Sequence, residues 1–230
     1  MSNKSSAHHS CITAVNHHSF VTTLALLLVF VSAISFSVQA ATGKGKDKVS
    51  KWVGTWSTAP QLVEPHNMPP APGLSNNTIR QILRISIGGD SLRLKFSNEF
   101  SKSPVTMQKV QVAVSTGGST VDGCTITELS FNGTPEVTMA PGTAITSDPF
   151  AFKLKPRMDL AITIYFGETS PDVTGHPGSR TTSYLLRGDM VSSVNFPGAV
   201  PTDHWYVING IDVKAPASAG AVAIIGNSIT

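Results

Sequence analysis

From residue 52 to 213 no stretch of this chain holds a 3.6-residue apolar period for three turns. An amphipathic helix of ordinary length has no place there. Those residues instead carry short runs with period-2 alternation, separated by turn signals. Residues 78–87 put Ile79, Leu83, Ile85 and Ile87 on one face, with Arg80, Arg84 and Ser86 mainly on the other. Gly88-Gly89-Asp90 follows, and Leu92-Arg93-Leu94-Lys95-Phe96 then alternates cleanly. A Gly-rich link between two alternating runs predicts a hairpin. Further strands are predicted over 110–114, 125–131, 150–154, 160–166, 183–187 and 205–213. Turn signals between them include Pro141-Gly142, Ser147-Asp148-Pro149 and His176-Pro177-Gly178. Many short strands at this spacing, with no fixed-period repeat, predict a mainly β chain built as an antiparallel, jelly-roll-like β-sandwich.

Composition narrows the function classes. Apolar residues make up 40% of the 230, enough for a core and against bulk disorder. Lys and Arg number 17 against 14 acids, and the net charge of +3 carries no basic cluster able to track a phosphate backbone, so no nucleic-acid partner is expected. Two cysteines exclude a disulfide-dense scaffold and a four-ligand zinc site.

Residues 1–40 read as an address. A polar start with Lys4 leads into an apolar run over 21–38, which closes on Val38-Gln39-Ala40, the small-residue pattern that signal peptidase accepts. The competing reading is an uncleaved anchor, since the run is nearly long enough to span a bilayer. The cleavage pattern and the polar residues 43–48 favour removal, which makes the protein secreted, with no stable membrane span afterwards. Removal takes Cys11 and the histidines at 8, 9, 17 and 18, and leaves His66, His176 and His204. Cys124 is then expected to be a small buried hydrophobe, with no intrachain disulfide. Asn76-Asn77-Thr78 and Asn132-Gly133-Thr134 are glycosylation sequons if the host is eukaryotic.

The last residues are written differently. Residues 219–225 are continuously apolar without alternation, which suits a strand buried on both faces in a parallel α/β sheet. Ala215-Pro216-Ala217-Ser218 before them looks like a linker. The expected division is a signal peptide at 1–40, a polar flexible segment at 41–51, a sandwich at 52–215, and at 216–230 the incomplete start of a second domain. That apolar run meets Gly226-Asn227-Ser228-Ile229-Thr230 at once. A buried strand ending in Gly-x-Ser places a hydroxyl at the carboxyl end of a sheet, where open α/β folds bind ligands. Small Gly226 admits a substrate closely, and Ser228 is a nucleophile if a histidine takes its proton. The Ser228 backbone N–H is one oxyanion donor. Thr230 stands where the Gly-x-Ser-x-Gly elbow needs its second Gly, so that elbow is excluded.

An ordered series of motifs resembles the N-terminal part of a secreted SGNH (GDSL-type) hydrolase carrying a β-sandwich ahead of its catalytic domain. The residues are 52–60 (Trp52-Val53-Gly54-Thr55-Trp56 onward), Thr78-Ile79-Arg80-Gln81, 92–98 and Ser147-Asp148-Pro149. Gly175-His176-Pro177-Gly178-Ser179-Arg180-Thr181-Thr182 and the terminal pentapeptide complete the series. The resemblance implies carboxylic-ester hydrolysis on a flavodoxin-like sheet with no metal or organic cofactor, acylated carbohydrate and lipid being open as substrates. It makes Ser228 the catalytic nucleophile, with Gly226 and Asn227 supporting the motif. Asn227 stands where the family usually has Asp; it keeps the shape and an acceptor oxygen and loses the charge. The family's other oxyanion donors and its Asp-x-x-His pair lie downstream of the nucleophile, so residues 1–230 alone are expected to be inactive. The alternative is a secreted non-catalytic sandwich that binds carbohydrate or another partner. His176 and His204, the latter beside Asp203, read either as catalytic groups or as polar loop residues. Trp52, Trp56 and Trp205 read as sugar-stacking rings or as packing, and Arg80, Arg84, Arg93 and Lys95 as one solvated basic sheet face.

Overall fold

Leu92, Leu94 and Phe96 are wholly buried, whereas Arg93 and Lys95 between them keep 32% and 42% of their side chains exposed. This alternation is what a strand with one face on a core requires. The structure, a computed structural model, describes residues 50–222, which belong to one compact unit. The strands run β1 (Ser50–Ser57), β2 (Gln61–Leu62), β3 (Asn77–Arg84), β4 (Gly89–Ser97) and β5 (Val105–Gly117). Next come β6 (Thr120–Val121), β7 (Thr127–Glu128), β8 (Val137–Met139), β9 (Ala144–Thr146), β10 (Phe150–Leu154) and β11 (Asp159–Phe166). The last are β12 (Thr174–Pro177), β13 (Ser183–Arg187), β14 (Val200–Thr202), β15 (His204–Tyr206) and β16 (Ile208–Pro216). The chain is mainly β, and all the pairings are antiparallel.

Two sheets share one core, as the sandwich expectation requires. A five-stranded sheet has the order β1-β16-β4-β10, with β9 also on β4. An eight-stranded sheet runs β14-β13-β3-β11-β5-β6, with β7 and β8 also on β5. Leu94 and Ile211 from the first meet Leu83, Val112 and Ile162 from the second in a single buried cluster. A third, three-stranded sheet has the order β15-β12-β2.

The expected hairpin of 78–87 with 92–96 does not form, because β3 and β4 lie in different sheets. Both apolar faces look into the same core from opposite sides, and Ile85–Gly88 carries the chain across. Gly88 and Gly89 serve close approach rather than a hairpin turn. A Cβ on Gly88 would run into the Leu154 carbonyl, and one on Gly89 would lie 2.5 Å from Val213 Cγ2 and 2.7 Å from the Lys214 carbonyl oxygen. The expected strand over 205–213 is also broken. Val207 has φ 67°, so β15 ends in the three-stranded sheet and β16 starts afresh in the five-stranded one. A β-branched residue there is strained by about 1–3 kcal/mol. Complete burial of Tyr206, with Val207 and Ile208 each 2% exposed, offsets it. Of 125–131, only Thr127–Glu128 is a strand. Cys124 departs from its expectation twice, being exposed on a 3-10 turn (Gly123–Thr125) and disulfide-bonded; the other cysteine, Cys11, lies outside the described residues. Residues 219–222 form no strand, and Val222 is 89% exposed. The rest of the expected flavodoxin-like start, 223–230, and the expected signal segment lie outside the described residues.

Thr55 fixes the crossing between the sheets. It sits at an irregularity in the β1–β16 register, between Gly54 and Trp56, and is 3% exposed. Its hydroxyl donates to the Ile87 carbonyl at 2.7 Å and accepts from the Ile87 N–H at 3.0 Å. Its own carbonyl accepts from the Ser86 N–H and hydroxyl. Thr55→Val keeps the shape and strips both bonds from Ile87, so a loss of about 1–3 kcal/mol is expected in urea unfolding. Thr55→Ser should recover most of it; equal stability of Thr55→Val and the parent would refute the assignment.

Candidate functional site

The expected site residues Gly226, Asn227 and Ser228 lie outside the described residues. The segment leading to them is described as far as Val222. Residues 220–222 pass beside the β1 bulge, Ser86 and Ile87, with a cleft of about 570 Å³ between.

The motif residues within the sandwich bind its own backbone. Arg80, expected on a solvated face, is 1% exposed. Its guanidinium donates to the carbonyls of Ser119 (2.5 Å), Ser193 (2.6 Å) and Val194 (3.1 Å), and to Thr163 Oγ1 (2.9 Å). Gln81 pairs with the Tyr206 backbone through both ends of its amide, 2.6 Å from N–H and 3.0 Å from carbonyl. Asn98 Nδ2 faces the carbonyls of Ser103, Met139 and Ala140. Ser147 and Asp148 tie one turn to β4. The Ser147 hydroxyl accepts from the Leu94 N–H, and the Asp148 carboxylate accepts from Ser130 Oγ and the N–H groups of Asn132 and Gly133. Ser179 and Thr181 hydroxyls donate to the carbonyls of Thr181 and Ile82.

The histidines stand on strands, not in loops, and form no dyad with Asp203. His176 and His204 belong to β12 and β15, where His176 pairs with Trp205 and His204 with Pro177. His176 Nδ1 lies 2.9 Å from the Ala59 carbonyl, which makes it the donor. His204 Nδ1 accepts from the Gly178 N–H at 3.0 Å. Asp203 takes the Thr182 hydroxyl instead. Trp205 packs edge-on against Trp56 with centroids 4.9 Å apart, stacks on His176, and donates Nε1–H to the Ile82 carbonyl. Two of the three tryptophans are therefore spent on packing.

The supposed basic face divides between two sheets. Arg84 forms a two-point pair with Asp159 at 2.7 Å on the β3–β11 ladder, which holds the Asp159 carboxyl below the usual range. Arg93 and Lys95 lie on the other sheet, where both reach Asp212 Oδ2, at 2.9 and 3.0 Å. Trp52 lies under the Arg93 guanidinium, 4.7 Å from its ring centroid. Asp212 was not anticipated from sequence; the signal is a lone acid in an alternating strand, set between Ile211 and Val213.

No family model matches the chain, and no curated protein matches it. Among the described residues no group of three or more His, Cys, Asp or Glu side chains could hold a metal ion, and no helix is long and apolar enough to cross a membrane.

The three bonds to Asp148 hold its carboxyl below its ordinary value, the Ser130 hydroxyl contributing most. A lowered folded-state value means that the carboxylate supports the turn at neutral pH and is lost only as the pH falls below the usual value of about 3.9. NMR of the Asn132 and Gly133 amides should show no titration above that range and a shift below it. Asp148→Asn should abolish that step; an unchanged titration in the variant would refute it.

Proposed function

We propose that this chain is the N-terminal portion of a secreted serine esterase of the SGNH type, with Ser228 as nucleophile. The observation carrying the reading is the ordered motif series, which runs from Trp52 to the terminal pentapeptide. The sandwich motifs that hold the chain together are occupied with backbone groups of the sandwich, as suits an accessory domain. That leaves the terminal motif to carry the chemistry. Ser228 Oγ attacks the ester carbonyl while a histidine takes its proton, and the oxyanion gathers at the Ser228 N–H. The alcohol leaves with that proton. Water then attacks the acyl-serine, returning the hydroxyl and releasing the carboxylic acid. Gly226 keeps the approach open, and Asn227 supplies a neutral acceptor where the family usually has a charge.

The test is to read the coding sequence beyond residue 230 and assay the extended protein. An Asp-x-x-His is expected within about 100–200 residues, the span of a domain. The extended protein should hydrolyse p-nitrophenyl acetate and lose at least about 10³-fold of its rate on Ser228→Ala. Absence of that motif, or a rate indifferent to Ser228→Ala, sinks the proposal. Residues 1–230 alone should stay at background, and turnover by them that Ser228→Ala removes would show that the base lies within this chain.

A further inference from the structure

The outer face of the five-stranded sheet carries charges that the sandwich's own joints do not use. Register puts Arg93, Asp212 and Gly54 in one row across β4, β16 and β1, and Lys214 and Trp52 side by side in the next. Lys95 and Gly210 form the row on the other side. Asp212 points outward yet is 6% exposed, because Arg93 and Lys95 close over its Oδ2. Only Nε of Arg93 is engaged there, and Trp52 holds the guanidinium plane from below. Both Nη groups form no hydrogen bond with the described residues and keep a fixed orientation. Lys95 and exposed Lys214 flank them. Gly54 is exposed beside this fork, and a Cβ there would meet only Asp212 Oδ1, at 3.9 Å, so the sheet surface is open next to the donors.

We infer that this face binds an acidic polysaccharide through its carboxylates, with the Arg93 fork taking one carboxylate and Lys95 and Lys214 its neighbours. Three cations against one neutralised carboxylate set the sign of the ligand. A planar guanidinium with two free parallel donors matches the two oxygens of a carboxylate, which a tetrahedral sulfate or phosphate matches less closely. The chemistry of the face selects a polymer over a membrane. Its rows carry Arg, Lys and Asp side chains, and the exposed large hydrophobic residues Leu62, Phe100 and Val194 lie off its strands. Val222, beside the cleft that Gly54 lines, is a single apolar side chain rather than a face to insert among acyl chains. The inference rests on the sandwich alone and does not depend on Ser228.

The experiment is affinity electrophoresis and calorimetry of the chain with sodium polygalacturonate at low and physiological salt. The same polymer methyl-esterified, dextran sulfate, and phosphatidylserine vesicles serve as the other arms. Polygalacturonate should bind and weaken with salt, and the esterified polymer should not bind. Arg93→Gln should weaken binding about tenfold or more, the effect of losing a charge-assisted hydrogen-bond pair, and Arg93→Lys should not restore it. Lys214→Gln touches nothing in the core, so it should weaken binding with the melting temperature unchanged, which separates lost contact from lost fold. No binding to polygalacturonate at low salt would overturn the inference. Binding indifferent to both Arg93→Gln and Lys214→Gln, or tighter binding to dextran sulfate or vesicles, would overturn it equally.

Discussion

Arg80 lies beneath the segments around 119 and 193–196 and donates to three of their carbonyl groups, with the Phe196 ring 3.9 Å above its guanidinium carbon. Burial pulls its pKa down to about 10, so it remains charged at neutral pH. Its charge is met by carbonyl dipoles, a hydroxyl and an aromatic face. Those segments roof the outer side of the eight-stranded sheet. Ala113, Val121 and Ala161 form a second small cluster beneath them with Ile82 and Ile126. A sheet whose outer side is covered by irregular chain needs donors inside the cover, because loop carbonyls there have no ladder to join. Arg80 supplies three such bonds from one side chain, while its Nε donates to Thr163 Oγ1 within the sheet. Its removal would take a donor from the Ser119 and Ser193 carbonyls together, each loss costing about 1–3 kcal/mol, while the Val194 carbonyl keeps the Val121 N–H.

The same requirement recurs wherever the chain turns without a helix. Thr55, Gln81, Asn98, Ser147 and Asp148 each bond at least one backbone group more than ten residues away in sequence. Such joints hold strands in place without contributing chemistry. In a sandwich built this way, the face most free to do anything else is the one whose donors are left over, beside Trp52 and Arg93. The histidines illustrate the contrast. Both looked available for proton transfer, and both turn out to be tied to main-chain groups on a small sheet.

Strand content was legible because alternation survives translation into burial: 150–154 and 183–187 are strands to the residue, and 160–166 falls one short at its start. Pairing was not. Gly88-Gly89 has the composition of a hairpin turn, and nothing local distinguishes a glycine needed for positive φ from one needed because another strand passes close by. Val207 gave no warning either, since a β-branched residue inside an apolar run reads as strand interior. Arg80 alternates like a surface residue, and only the loops folded over it, more than a hundred residues on in the case of Ser193 and Val194, make it an interior one. The candidate nucleophile rests on an apolar run meeting Gly-x-Ser, of which only 219–222 is described and forms no strand, whereas Asp212 was hidden because a single acid acquires meaning only from the neighbours the sheet brings to it.

The register that pairs Ser50 with Pro216 has a mechanical consequence. Chain enters and leaves the sandwich at the same end of two adjacent antiparallel strands. Tension applied across residues 50 and 216 would therefore load the β1–β16 ladder one hydrogen bond at a time, as a zipper, and not all of them together in shear. That pair of ends is the sandwich's weakest direction under tension, and β1 is the strand that would peel first.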